Sequence, residues 1–301
     1  MSDGSGLPIF DVRCRVTIAE AGEYFSGRQK SGGKGPRIRA FETGTIEAFF
    51  DEIGEAGVTT AVSVSGNNPG LSIGKWKLAP RTTSNDLMAE LQRKHWGKIV
   101  GVAGIDAGNT YHDALSEIRR CHALGLRAVF IEPGRSPGCN LDDRRLYPIY
   151  ELCSELDMTL MPQTSGMLGA KSIDYANPVH LDQVAEDFPK LRIIAGHGCY
   201  PYVREAIVVA ARRENIFMSP DSMLFDLGTE DWLKAVNSHH FGIGDQFLFG
   251  SAYPLIEIKP YVEKFLTLPW SDEVLPKILH KNALRAFKLD ADPTFKEIYR
   301  A

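Results

Sequence analysis

Ile99-Val100-Gly101-Val102-Ala103-Gly104 is a short apolar run, and Tyr111 to Leu124 behind it repeats apolar residues at helical spacing. The pair reads as a strand followed by an amphipathic helix. The same order recurs along the chain, with further strands expected at Ile9 to Val16, Thr59 to Ser65, Ala128 to Ile131, Thr159 to Gln163, Arg192 to Gly196, Ile216 to Ser219 and Phe247 to Phe249. Asn177-Pro178 and Ser271-Asp272 carry the residues that start helices. Eight strands, each followed by a helix, predict an α/β fold of the (β/α)8 TIM-barrel type. The alternative is a doubly wound open sheet. No GxGxxG follows the first strand, and eight repeats are many for an open sheet.

The chain has 301 residues, which suits one barrel spanning 1–301 as well as it suits two smaller domains. Hydrophobic residues make up 44% and charged residues 24%, and the net charge is -4. Such a chain lacks the basic excess of a nucleic-acid binder. No apolar run approaches the ~20 residues of a membrane helix. Met1 to Leu7 lacks the charged-then-apolar order of a signal peptide, so a cytoplasmic protein is expected. The five cysteines contain no CxxC pair, which speaks against a disulfide framework and a zinc knuckle. A homo-oligomer is compatible with all of this.

The loop 26–39 departs from the pattern. It is rich in glycine and carries Arg28, Lys30, Lys34, Arg37 and Arg39. It follows strand one, so it belongs over the C-terminal mouth, where barrel active sites lie. Its glycine spacing is not that of a P-loop. It reads either as a solvated loop or as a lid that draws anions to the mouth.

Several short pieces then occur in a telling order: Ile9-Phe10-Asp11-Val12, Asn177-Pro178 through Phe188-Pro189-Lys190-Leu191, Ile193-Ile194-Ala195-Gly196-His197-Gly198, Phe249-Gly250-Ser251-Ala252-Tyr253-Pro254 and Asn282-Ala283-Leu284-Arg285-Ala286-Phe287. In this the chain resembles the amidohydrolase-related group that includes aminocarboxymuconate-semialdehyde decarboxylase and pyrone-dicarboxylate lactonase. The resemblance implies a barrel enzyme acting on a small carboxylated substrate. It also implies metal ligands that are mostly replaced here. Where such barrels carry His-x-His after strand one, this chain has Arg13-Cys14-Arg15. Gln163 stands where they carry a His after strand five, and Ala252 stands for the Asp of strand eight. His197 keeps its position.

A catalytic divalent ion needs about three protein ligands. Arginine has no lone pair to offer and is always charged. No cofactor is therefore expected, and zinc on His197 with Asp221 or Glu132 is the remaining alternative. Arg13 and Arg15 alternate with Cys14, so both should point into the barrel while Cys14 faces the helices. They would fork onto a ligand carboxylate or phosphate, or pair with Glu132 after strand four or Asp221 after strand seven. His197 and Asp221 are the candidate catalytic residues, with His197 as general acid or base. Arg13, Arg15, Glu132, Gln163 and Tyr253 are the candidate substrate-binding residues, Gln163 and Tyr253 as donors to an oxyanion. Cys199 is either a small buried residue or a nucleophile activated by its neighbours. The expected function is a metal-independent hydrolase or lyase on a small carboxylate such as a lactone or ring-cleavage acid. The alternative is a pseudoenzyme that binds a small anion or a protein partner.

Overall fold

The computed structural model describes residues 6–22, 24, 26 and 37–300. Its strands, in chain order, are β1 (Ile9–Asp11), β2 (Val58–Val64), β3 (Gly66–Asn68), β4 (Leu71–Ile73), β5 (Trp76–Leu78), β6 (Arg81–Thr83), β7 (Ile99–Ile105), β8 (Ala128–Ile131), β9 (Thr159–Pro162), β10 (Ile193–Gly196) and β11 (Ile216–Ser219). Seven of them form one parallel sheet in the order β1-β2-β7-β8-β9-β10-β11. The register places Ala61 against Ile99, Ala128 against Thr159 and Ile193 against Ile216.

Residues 247–249 close the ring. Met218 bridges Phe247 in parallel, Leu248 N donates to Met218 O at 2.9 Å, and Val12 N donates to Phe249 O at 3.1 Å. The result is a closed TIM barrel, as the repeating pattern predicts.

Two apolar layers follow from this closure. Phe10, Val62, Val100, Phe130, Met161, Ile194, Phe217 and Leu248, one from each stave, fill the barrel interior. Phe287, Phe295 and Tyr299 plug its lower end against Phe10. Outside the staves, Phe49, Ile118, Ile149, Leu181, Val209 and Phe265 bring the apolar faces of the helices onto the sheet. The helix Pro178–Asp187 begins as expected, with the Asn177 side chain accepting from Val179 N at 3.2 Å. No helix among the described residues is long and apolar enough to cross a membrane.

Three features differ from the sequence expectation. The first strand ends at Asp11 rather than Val16, because Asp11 Oδ1 accepts from Arg13 N at 2.9 Å and turns the chain. The helix expected from Ser271 starts as a turn and passes through a π-helical stretch, Lys277–Lys281, before Asn282–Ala286. Between β2 and the helix Asn85–Lys94 stands an arm of four three-residue strands, to which the sequence analysis assigned no structure. In it β3 pairs with β6 and β4 pairs with β5, both antiparallel. Of the basic loop, Arg28, Lys30 and Lys34 lie outside the described residues. Arg37 and Arg39 are exposed and paired with Glu42 and Glu55.

Candidate active site

The C-terminal ends of the staves bring Arg13, His197 and Asp221 together. Arg13 follows β1, His197 follows β10 and Asp221 follows β11. Arg13 Nη2 lies 2.8 Å from His197 Nε2, and His197 Nδ1 lies 2.9 Å from Asp221 Oδ1. Arg13 Nε lies 3.4 Å from Asp221 Oδ2, so the three side chains close a triangle. Arginine has only hydrogens to give, so His197 accepts at Nε2 and donates from Nδ1–H to Asp221. Tyr261 pins the Asp221 backbone by donating to its carbonyl at 2.7 Å.

Glycines make the room. A Cβ at Gly196 would lie 2.5 Å from Arg13 Nη1, and one at Gly250 would lie 3.0 Å from Arg13 Cγ. His197 and Asp221 both sit at positive φ, 72° and 48°, a conformation costly outside glycine and frequent where side chains are aimed at a site.

All three groups are buried: Arg13 is 1% exposed, His197 7% and Asp221 2%. Burial and the adjacent Arg13 hold the His197 ring below its ordinary pKa, against the pull of Asp221. The imidazole is therefore neutral at pH 7. Asp11 lies just beneath. Its Oδ1 accepts from the backbone of Arg13 and Ser251, and burial raises its carboxyl to about 6.

A second tier lies nearer the mouth. Glu132, just after β8, accepts from Asn68 Nδ2 and from Arg81 Nη2 at 3.2 Å, and Arg135 Nη1 lies 3.3 Å away. Burial alone would raise its pKa, but Arg81, Arg135, Arg15 and Arg13 hold it below the usual range. Beneath this tier the Phe130 ring faces three guanidiniums, with Arg13 at 5.7 Å, Arg15 at 5.9 Å and Arg81 at 5.9 Å from its centroid. Burial, with Arg13 and Arg81 alongside, weakens the hold of Arg15 on its proton. A guanidinium starts so far above neutrality that Arg15 remains a cation at pH 7. Arg81 also stacks on Tyr24 at 4.7 Å. Arg15, Tyr24 and Arg81 line a cavity of about 20 Å³.

Both inward arginines thus stand over Phe130, while Cys14 packs in the outer layer. Arg13 is paired internally with Asp221, and Glu132 is held chiefly by Arg81 and Arg135. Gln163 is buried, with Oε1 accepting from Ser165 N at 2.9 Å, which leaves that oxygen serving the loop. Tyr253 is placed differently from the expectation. Ala252 at φ 65° turns the chain, and the Tyr253 hydroxyl donates outward to Glu52 at 3.0 Å on the helix Ile46–Glu55, so it is not an oxyanion donor. Cys199 is not an activated thiol, since burial pushes it up to about 12.

The sequence reading missed Arg81, Asn68, Arg135, Tyr24 and Phe130. Arg135 had a usable signal, three residues after Glu132 across Pro133-Gly134. Arg81 and Asn68 had none, because the arm that carries them is too short-stranded to show a period.

The chain belongs to the amidohydrolase family, whose description, Amidohydrolase, matches residues 58–289. It is 33% identical to an uncharacterized TIM-barrel protein from Bordetella bronchiseptica, over 94% of this chain and 99% of that one, with a TM-score of 0.81. It also matches a 2,6-dihydroxybenzoate decarboxylase from Rhizobium at 18% identity, over 95% of this chain and 100% of that one, TM-score 0.65. A dihydroxybenzoic acid decarboxylase from Polaromonas, with bound manganese and 2-nitroresorcinol, matches at 16% identity, over 96% and 99% of the two chains, TM-score 0.65. At these two identities the likeness is one of fold. No curated protein matches the sequence.

Proposed function

We propose that this barrel is a hydrolase or lyase that moves a proton on a small carboxylated substrate without a divalent metal. The observation that carries the reading is the Arg13–His197–Asp221 triangle. An imidazole oriented by a carboxylate and kept neutral is suited to general base work near pH 7.

A divalent ion does not fit these residues. The His197 nitrogen that would face it is 2.8 Å from a guanidinium nitrogen. Asp221 turns its other oxygen toward Arg13 as well. Among the described residues no group of three His, Cys, Asp or Glu side chains is arranged to hold a metal.

Charge supports the anionic substrate. The guanidiniums of Arg13, Arg15 and Arg81 gather within 6 Å of the Phe130 ring centroid, at 5.7, 5.9 and 5.9 Å, and put several charged donors at the mouth. A substrate carboxylate drawn to Arg13 would release His197 Nε2. In hydrolysis, Nε2 takes a proton from water as the new C–O bond forms, and returns it to the departing oxygen as the old bond breaks. In decarboxylation, the neutral ring takes a proton from a substrate hydroxyl and delivers it to the carbon that keeps the electron pair as carbon dioxide leaves. In both, Asp221 stabilises the imidazolium.

The test is turnover against a panel of lactones and aromatic carboxylates. His197→Gln is expected to lower the rate roughly 100-fold or more with the fold intact by circular dichroism. The acid limb of the pH–rate profile should fall below the ordinary histidine value near 6.5, because the neutral ring is the active form. Unchanged turnover in His197→Gln contradicts the reading. The contact of Arg13 with Nε2 also favours a second one, a binding barrel in which His197 is permanently capped. That reading predicts carboxylate binding with no turnover of any panel member.

A further inference from the structure

Glu132 has three side-chain partners among the described residues, and two of them come from one element. Asn68 and Arg81 sit directly opposite each other in the β3–β6 ladder, so the arm presents them as one two-pronged cradle. Gly66 lets the Arg81 chain cross the ladder, since a Cβ there would lie 2.1 Å from Arg81 Cδ. Arg135 approaches the same carboxylate from the barrel side.

Arg81 is also a wall of the small cavity, beside Arg15 and Tyr24. A space of about 20 Å³ holds a water and no carboxylate-bearing molecule. Arg81 Nη2, at the wall of this cavity, is engaged by Glu132 Oε1 at 3.2 Å.

We propose that Asn68, Arg81 and Arg135 form a subsite for a small carboxylate, that Glu132 fills this subsite while the protein is empty, and that the substrate carboxylate takes its place. This rests on the carboxylate-processing reading above and adds to it a second anion position with a resident competitor. Exchanging one carboxylate for another keeps the buried guanidiniums paired throughout, which avoids the large cost of stranding a charge. The displaced Glu132 remains within the field of Arg13 and Arg15, which already act on it.

Sodium formate and sodium acetate are the probes, titrated at constant ionic strength into wild type, Glu132→Ala and Glu132→Ala/Arg81→Met, with affinity read by calorimetry. Formate should bind Glu132→Ala at least about tenfold more tightly than wild type, and the gain should vanish when Arg81 is also removed. Equal affinity in Glu132→Ala and wild type, or a gain that survives the loss of Arg81, overturns the proposal. If Glu132→Ala does not fold, Glu132→Gln serves instead. Acetate should bind it at least about threefold more tightly than wild type, and unchanged affinity overturns the proposal. These affinities do not depend on proton transfer by His197, so they stand or fall separately from the turnover test.

Discussion

Asp11 and His197 are both buried beside Arg13, yet their stability contributions run in opposite directions with pH. The folded pKa of Asp11 is raised from 3.8 to about 6, so its contribution is fully present below pH 3.8 and is lost as the pH rises through 6. Asp11→Asn keeps an oxygen for the two backbone donors and removes the charge. It should match wild type in stability near pH 3.5, gain between pH 4 and 6, and hold a plateau of about 1–3 kcal/mol above that, as read by urea unfolding across pH. A gain independent of pH would mean that the carboxylate is not strained by burial. For His197 the folded pKa is depressed, so its contribution is present above the ordinary value near 6.5 and is lost as the pH falls below it. Arg13 is one cause of that depression, and Asp221 opposes it. Arg13→Met should therefore move the His197 titration upward in histidine NMR, and a downward or absent shift would contradict the geometry. His197, Asp221, Arg13 and Arg15 were legible in the sequence because the ends of barrel staves are fixed by the apolar runs before them. Tyr253 was misread because nothing in Ser251-Ala252-Tyr253-Pro254 reveals that Ala252 takes a left-handed turn and sends the ring outward.

The arm 66–83 is the element that completes the site, and its placement hangs on one absent side chain. A Cβ at Gly66 would lie 2.1 Å from Arg81 Cδ and 2.7 Å from Cγ, so Gly66→Ala must push Arg81 off Glu132. The expected cost is about 1–3 kcal/mol in wild type. In an Arg81→Ala background most of that cost should disappear, because the clashing atoms are gone. A double-mutant cycle by chemical denaturation reads the coupling directly, and additive costs would contradict the contact. The arm roots firmly at both ends: Ser65 Oγ and the Asn85 side chain bond each other, and both accept from Gly104 N. None of this is visible in Gly66-Asn67-Asn68-Pro69-Gly70, which reads as turn chemistry, and three-residue strands are too short for a hydrophobic period. The staves of the seven-stranded sheet were legible because most are short, largely apolar runs with a helix behind them. The eighth, 247–249, was legible as a run although its pairing is confined to single bonds and one bridge.

At the scale of the whole molecule, the mouth of this amidohydrolase barrel is organised around guanidiniums, which suits it to the anion we propose it receives. The surface does not advertise this, since the chain as a whole carries a net charge of -4. The guanidiniums gather locally, above Phe130. Bonds to charged groups contribute about 1.5–3 kcal/mol each, so a carboxylate that engages two forks can reach roughly micromolar affinity after association costs. Its binding should weaken with salt less than a surface contact would, because the site is buried. The most direct measurement is a thermal-shift panel of small mono- and dicarboxylates, run beside manganese and zinc, on wild type and an Arg13→Met/Arg15→Met variant. A ligand at ~100 times its dissociation constant stabilises by about 2.7 kcal/mol, a shift of roughly 2 °C or more for a chain of this size. That shift is expected for carboxylates on wild type, with its loss in the double variant and no stabilisation by either metal. Stabilisation by a stoichiometric divalent ion, with no carboxylate discriminating between the two proteins, would contradict it.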